Sequence, residues 1–166
     1  MGVAGRTYTL TVIANAQTYT ATSTMPQAVT FDTLEIVSMV NVFKSQDTNI
    51  YPVAGFLDPA AVANYYRFME TRNDTVLAKT FVIDDQYSNG LYINYPLFYD
   101  TSLVAGDSVK IEMQCIDKGT YQYLTTLNEA SGSTYVTPAN PVTNISNNGL
   151  GYFSAHTSRY KRAKVK

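Results

Sequence analysis

The chain has 166 residues, of which 45% are hydrophobic and only 15% are charged. That balance excludes intrinsic disorder, which requires low hydrophobicity and high charge. No apolar run approaches the roughly 20 residues of a transmembrane helix, so no transmembrane segment is predicted. One cysteine and one histidine exclude an intrachain disulfide and any site that needs several cysteines or two histidines.

The net charge of −1 hides an uneven distribution. The last eight positions hold five of the 12 basic residues: Arg159, Lys161, Arg162, Lys164 and Lys166. Residues 1–158 therefore carry a balance of −6. A nucleic-acid-binding protein is basic across a whole face, so no nucleic-acid partner is expected. The basic end is interpreted as a solvated final strand, with an electrostatic contact for a partner as the alternative.

A β-hairpin is predicted at the start of the chain. Residues 6–13 and 18–22 alternate between two faces, as half-buried strands do, and the turn residues Asn15-Ala16-Gln17 separate them. Pro26 ends the hairpin. A lone hairpin is marginal in water, so it must pack against another element. Its open edge favours pairing with a second copy, which makes a dimer one expectation.

Strands and turns dominate the rest of the chain. Strands are predicted over 31–42, 63–71, 75–83, 91–95, 108–116 and 150–166, and residues 43–57 receive no assignment. For residues 59–64 one helical turn capped by Asp58 is the alternative. Helical spacing predicts a helix over 117–131, with Asp117 as its cap, and an extended loop follows over 137–144. These elements predict an all-β fold, an antiparallel β-sandwich with one short α-helix late in the chain.

An acidic loop offers oxygen ligands for a metal. Asp84, Asp85 and Asn89 lie close together beside the flexible Gly90, and Ca²⁺ binds carboxylate and amide oxygens. The loop lacks the alternating acidic spacing and the distal glutamate of an EF-hand. A solvated turn is favoured, because Asp, Asn and Gly form turns without any ligand. Calcium is the one cofactor suggested.

Tyrosines cluster around this loop. Tyr87, Tyr92, Tyr95 and Tyr99 fall within 13 consecutive positions of a chain that has 14 tyrosines. A tyrosine ring offers a flat apolar face and one hydroxyl, which suits stacking on a sugar or contact with a protein. These four residues are the candidate ligand-binding set. The alternative is that they fill the core or form cross-strand pairs.

The sequence contains few residue patterns that are typical of catalytic sites. Cys115 lies on the apolar face of its predicted strand, where it is interpreted as a small buried hydrophobic residue. His156 is the one imidazole available as a base, and no Gly-x-Ser-x-Gly elbow accompanies it. A hydrolase built from the dispersed carboxylates of Asp58, Asp84, Asp85 and Glu112 ranks last, because adjacent strand residues point to opposite faces. The chain is expected not to be an enzyme.

A further set of stretches is informative through its order along the chain: residues 5–10, 22–26, 64–68, 84–85, 106–109, 116–118, 121–123, Leu127, 138–141, 144–146 and 149–154, the last with the sequence Gly-Leu-Gly-Tyr-Phe-Ser. In this order they resemble the domain-of-unknown-function family 4249, a group of outer-membrane lipoproteins of the Bacteroidetes. The resemblance covers nearly the whole chain. No catalytic residues come with it.

The resemblance implies a cell-surface or outer-membrane β-protein that works with a TonB-dependent transporter in nutrient uptake. A glycan or another small nutrient is the implied ligand. Family members look longer, with a signal peptide, a lipidation cysteine and an Ig-like or transthyretin-like domain first. Residues 1–25 then resemble the last hairpin of that first domain, and residues 26–166 form the β-sandwich domain. This chain has no signal-peptide pattern at its start, and Cys115 lies too far along the chain to be the lipidated residue. A structural module that positions a neighbouring domain is the alternative function.

Overall fold

The computed structural model describes residues 2–40, 48–132 and 140–166. Its strands are β1 (Thr7–Ala14), β2 (Gln17–Thr24), β3 (Thr33–Val40), β4 (Thr48–Leu57), β5 (Tyr65–Arg72), β6 (Thr75–Asp84), β7 (Tyr92–Pro96), β8 (Ser108–Ile116) and β9 (Thr157–Lys164). The helix α1 spans Lys118–Gly132 and lies between β8 and β9. The described residues contain no helix that is long and apolar enough to cross a membrane.

Two antiparallel sheets form a sandwich. One has the order β3-β4-β7 and the other the order β6-β5-β8-β9. Alternate residues of each central strand face the space between the sheets, where Phe56 of β4 meets Tyr66 and Phe68 of β5 with ring centroids 4.7 and 5.9 Å apart. Val109, Ile111 and Met113 of β8 complete this layer. The predicted all-β fold with one late helix is therefore confirmed.

Tight turns connect the hairpins. Asn15 and Ala16 join β1 to β2, and Asn73 and Asp74 join β5 to β6, all four with φ between 47° and 64°. Two successive left-handed residues make the type I′ turn, whose twist matches that of the strands it connects. Asparagine and aspartate tolerate this conformation better than most residues, which accounts for Asn15, Asn73 and Asp74 but not for Ala16.

Most predicted strands are confirmed within one or two residues at each end, and the bounds of β8 agree with the prediction at both ends. Residues 41–42 of the predicted 31–42 strand, and 137–139 of the predicted loop, lie outside the described residues. The final strand is shorter than predicted, because residues 150–156 form a loop that packs against the hairpin and the helix. The alternative of a helical turn over 59–64 is wrong, since residues 60–61 form a turn and 62 a bend.

Strand β4 was not predicted, yet it is the centre of the three-stranded sheet. Pro52 interrupts its sequence, and proline is disfavoured in a central strand because it has no N–H to donate. The structure places Pro52 where pairing with β7 stops: its carbonyl accepts the N–H of Leu97 at 2.9 Å, one residue past the end of β7. The backbone N–H that Pro52 lacks would therefore fall at the end of the pairing between β4 and β7.

Helix α1 lies against the outer face of the four-stranded sheet. Asp117 caps it by accepting the N–H of Thr120 at 2.8 Å. Tyr121 packs on Tyr65 of β5, with the ring centroids 4.9 Å apart. The helix thus covers one end of this face, at the first residues of β5.

The hairpin β1–β2 is a separate sheet that the chain's last third holds in place. Ala21 of β2 forms an isolated bridge with Ile145, and the N–H of Ser146 donates to the carbonyl of Thr20 at 2.8 Å. Ser23, which is buried, donates its hydroxyl to Asp117 at 2.6 Å and accepts the N–H of Ala155 at 2.8 Å. The division into residues 1–25 and 26–166 stays a prediction.

Candidate interaction surfaces

The structure separates the four candidate tyrosines. Tyr87 is 90% exposed and Tyr92 is 48% exposed, so both lie on the surface. Tyr95 stacks on Phe68 at 5.5 Å, and burial raises the pKa of its phenol. Tyr99 is buried, and burial together with the nearby Glu70 raises its pKa. Of the four, Tyr87 and Tyr92 are therefore the exposed ones, whereas Tyr99 belongs to the core and the half-buried Tyr95 packs against it.

The residues of the acidic loop point to different partners. Asp84 accepts the hydroxyl of Tyr121 at 3.1 Å, whereas the buried Asp85 accepts the N–H of Asn64 at 2.9 Å. Asn89 is exposed in the turn that follows. The described part of the chain contains no group of three or more His, Cys, Asp or Glu side chains that suits a metal ion. A calcium site at this loop stays a prediction, and the observed contacts are those of a structural turn.

The other titratable groups singled out by the sequence also have structural contacts. Asp58 is buried and accepts the hydroxyl of Tyr66 and, at 3.0 Å, the N–H of Gly90. Cys115 is buried, and burial raises the pKa of its thiol, which disfavours the reactive thiolate. His156 Nδ1 lies 3.2 Å from Ser154 Oγ. Glu112 accepts an amide N–H of Gln114 at 3.0 Å.

An apolar groove lies between the hairpin and the loop that holds it. It has a volume of about 510 Å³, and its lining is mainly hydrophobic: Leu10, Val12, Ala14, Tyr19, Ala21, Ile145 and Leu150 contribute, with Thr20, Asn148 and Gly149. Leu150 is 82% exposed at its rim. Contiguous apolar surface of this kind marks contact with another molecule more often than a single exposed leucine does.

The groove depends on one close approach of the backbone. Asn147 and Asn148 have positive φ angles of 55° and 56° and turn the chain back toward the hairpin. At Gly149 a Cβ atom would lie 2.5 Å from Ile145 Cγ2 and 3.2 Å from the ring of Tyr19. A larger residue at this position would therefore push the loop away from β2 and open the groove.

A family model described as Domain of unknown function (DUF4249) matches residues 2–162. The chain belongs to this family. No curated protein and no solved structure matches it. The match extends over both the hairpin and the sandwich, so all residues of the groove lie inside the DUF4249 region.

The sequence of this DUF4249 chain contains the groove residues but gives no signal that they meet. Leu10 and Val12 were predicted to share one hairpin face, and that face was expected to pack against something. Their partners follow more than 120 positions later: Ile145 lies between the predicted loop over 137–144 and the predicted strand over 150–166, and Leu150 begins that strand. The turn residues Asn147-Asn148 are the local sign that the chain reverses there, and both have positive φ angles in the structure.

Replacing Asp117 by alanine should both weaken α1 and release the hairpin. The carboxylate accepts the N–H of Thr120, the hydroxyl of Ser23 and the N–H of Thr24. Loss of the cap costs ~1 kcal/mol, and loss of the charged bonds to β2 adds about 1.5 kcal/mol. Urea denaturation would measure the total, and amide hydrogen exchange would show faster exchange in β2.

The matched control is Glu129→Ala, which removes an exposed carboxylate from the same helix. It should leave exchange in β2 unchanged. Unchanged exchange in β2 of the Asp117→Ala variant would show that the contacts to Ser23 and Thr24 do not hold the hairpin.

Proposed function

We propose that this DUF4249 chain is a non-enzymatic binding or accessory protein of the bacterial cell surface, which works with a TonB-dependent outer-membrane transporter in nutrient uptake. The transporter and the location come from the family resemblance of the sequence. The structural observation that supports a binding role is the apolar groove between the hairpin and residues 145–150.

The groove has the properties of a protein-contact site. Its floor is formed by regular strand residues, Leu10, Val12 and Ala21, whose positions the hairpin fixes. Its rim carries the exposed Leu150. Apolar side chains of a partner would gain about 25 cal/mol for each Å² of apolar surface that leaves water. Open backbone groups of β1, which pairs only with β2 among the described strands, add hydrogen-bonding capacity beside the groove.

The carboxylates support binding over hydrolysis. Asp58, Asp84, Asp85 and Glu112, the four candidates for a hydrolase, each accept hydrogen bonds from neighbouring groups of the fold. Asp58 and Asp85 are also buried, where water and substrate do not reach them. The hydrogen bonds of these carboxylates stabilise loops and strands of the fold.

The second candidate function is a structural β-module that positions a neighbouring domain. The same hairpin supports it, because β1 pairs with β2 alone among the described strands and a domain of the same protein could cover the groove permanently. The two functions differ in whether the groove contacts a separate polypeptide.

Affinity purification from solubilised outer membranes tests the proposal. Tagged full-length protein should bring down a TonB-dependent transporter in stoichiometric amount, identified by mass spectrometry. Leu150→Asp places a charge at the rim of the groove and should lower the recovered transporter by about tenfold, the equivalent of ~1.4 kcal/mol. Because Leu150 is exposed, the variant should fold normally.

The matched control is Val76→Asp, which places the same charge at an exposed position of β6. It should retain the transporter. Recovery of the wild-type protein alone would contradict the accessory role and favour the structural module. Equal recovery with Leu150→Asp and Val76→Asp would place the contact outside the groove.

A further inference from the structure

A second exposed surface lies on the four-stranded sheet, beyond the end that α1 covers. Strands β8 and β9 pair there in a register that sets Lys110 opposite Arg162 and Glu112 opposite Tyr160. Directly opposed residues of antiparallel strands share a face, so these four side chains stand together on the outer side. Lys164, two positions after Arg162, extends the row. We call Lys110, Tyr160, Arg162 and Lys164 the basic face.

Cations outnumber carboxylates on the basic face, and none of its cations forms a close ion pair among the described residues. Within the described residues, no carboxylate lies within 4 Å of Lys110, Arg162 or Lys164; the ion pairs found are Arg72–Glu70 and Lys79–Asp100. Glu112 is the nearest acid in the register, and its hydrogen bond from the neutral amide of Gln114 leaves its charge in place, so the face has three cations and one carboxylate. Like charges that face each other across a strand pair destabilise the sheet, so a bound anion would relieve the repulsion between Lys110 and Arg162.

The aromatic ring of Tyr160 lies close to both cations. Lys110 Nζ is 5.6 Å and Arg162 Cζ is 5.9 Å from the ring centroid. Tyr160 itself is 64% exposed, so the ring also presents surface to solvent. The face therefore offers two things side by side: a flat apolar surface and a pair of cations.

We propose that the basic face binds an acidic saccharide, a chain of pyranose rings that carry carboxylate or sulfate groups. The apolar C–H face of a pyranose packs on the Tyr160 ring, as sugars do on aromatic side chains. Its acidic group then reaches Lys110 and Arg162, of which Arg162 accepts a planar carboxylate or sulfate in two parallel hydrogen bonds. Lys164 lies two positions after Arg162 on the same face of β9, and it suits the acidic group of the next sugar.

An acidic polypeptide fits the same charges but not the ring. It has carboxylates for the cations, but it has no flat apolar face adjacent to each carboxylate for Tyr160 to contact. The inference names a ligand class for the proposed binding protein and rests on that function. It concerns a face separate from the hairpin groove, however, so a variant of one surface should not affect the other.

The test uses isothermal titration of the purified 166-residue chain with oligogalacturonate and with sulfated heparin oligosaccharides. Fully methyl-esterified oligogalacturonate is the neutral probe, and poly-L-glutamate is the acidic polypeptide. Binding of at least one acidic saccharide is expected, and neither the esterified probe nor poly-L-glutamate should match it. Rising salt should weaken the binding, since exposed charges are screened at the Debye length.

Two variants separate charge from stacking. Lys110→Ser/Arg162→Ser should reduce acidic-saccharide affinity by at least about tenfold, whereas Arg6→Ser/Lys118→Ser removes the same charge from exposed positions elsewhere and should change it little. Tyr160→Ser should reduce saccharide affinity by about fivefold or more. All these positions are exposed or half-buried, so circular dichroism should confirm folding.

Three outcomes would overturn the proposal: no binding of either acidic saccharide, binding of poly-L-glutamate as tight as that of the saccharides, or an equal loss in both double variants. Failure of these titrations would leave the co-purification of the transporter intact. Loss of the transporter in Leu150→Asp would likewise leave saccharide binding intact. The two proposals therefore fail separately.

Discussion

Replacing Arg72 by methionine is expected to lower the free energy of unfolding by about 3–5 kcal/mol at neutral pH, because it leaves a buried carboxylate without its partner. Glu70 faces the core on β5 with a fully buried side chain, and Arg72 donates to its Oε1 at 2.7 Å. Arg72 also donates to Thr101 Oγ1 at 3.0 Å. The substitution therefore removes the counter-charge of Glu70 and one contact of the loop after β7.

The loss of stability in Arg72→Met should depend on pH, and the ionisation of Glu70 determines whether the loss grows or shrinks as the pH rises. Burial raises the pKa of Glu70 above its ordinary value, while Arg72 acts in the opposite direction. A carboxyl group whose pKa is raised in the folded state contributes its full stability below the ordinary pKa of the unfolded chain and loses it as pH rises through the higher folded value. Without Arg72 the folded pKa rises further, so the penalty of Arg72→Met should be larger at pH 8 than at pH 5.

Urea denaturation at both pH values would measure this effect. Glu70→Gln/Arg72→Met removes the buried charge together with its partner and should recover most of the loss at pH 8, since replacing both members of a buried pair costs far less than removing one. Equal stabilities of the single and double variants would show that the loop contacts to Thr101, and not the charge of Glu70, account for the effect.

Replacing Asp58 by alanine is expected to cost about 3–4 kcal/mol, because two hydrogen bonds to a charged acceptor are lost inside the fold. The buried carboxylate accepts the hydroxyl of Tyr66 and the N–H of Gly90. Tyr66 is fully buried, and burial together with Asp58 raises its pKa, so the phenol stays protonated and remains a donor. In the variant the Tyr66 hydroxyl stays in the interior without this acceptor, and the half-buried N–H of Gly90 also loses its partner.

Thermal or urea denaturation would measure the cost. Asp58→Asn keeps one acceptor oxygen, so its free energy of unfolding should fall less than that of Asp58→Ala. Asp32→Ala, which removes an exposed carboxylate at the start of the three-stranded sheet, should have little effect. A cost for Asp58→Ala as small as that for Asp32→Ala would contradict the role assigned to the buried hydrogen bonds.

The sequence predicted those elements whose signals are local. The hairpin followed from alternation around Asn15-Ala16, and α1 from helical spacing after the cap Asp117. The sequence does not predict strand β4, because a proline such as Pro52 is locally unfavourable in a strand. Only the arrangement of β7 shows that Pro52 occupies the end of a ladder.

The candidate sites depended on contacts that the sequence does not encode locally. Whether a tyrosine is exposed depends on which sheet covers its face, so Tyr87 and Tyr99 are equivalent in the sequence and opposite in the structure. The sequence shows the basic residues of β9 as a cluster, but their pairing with Lys110 and the proximity of Tyr160 to two cations depend on the register of β8 and β9.

The manner in which the hairpin is held has a consequence for synthesis of the chain. During synthesis β1 and β2 emerge before the other described strands, and their contacts with each other are local. The wall of the groove opposite them, from Ile145 to Leu150, follows more than 120 positions later. A chain that lacks residues 145–150 therefore has no groove, and a partner that binds the groove would distinguish such a chain from one that includes them.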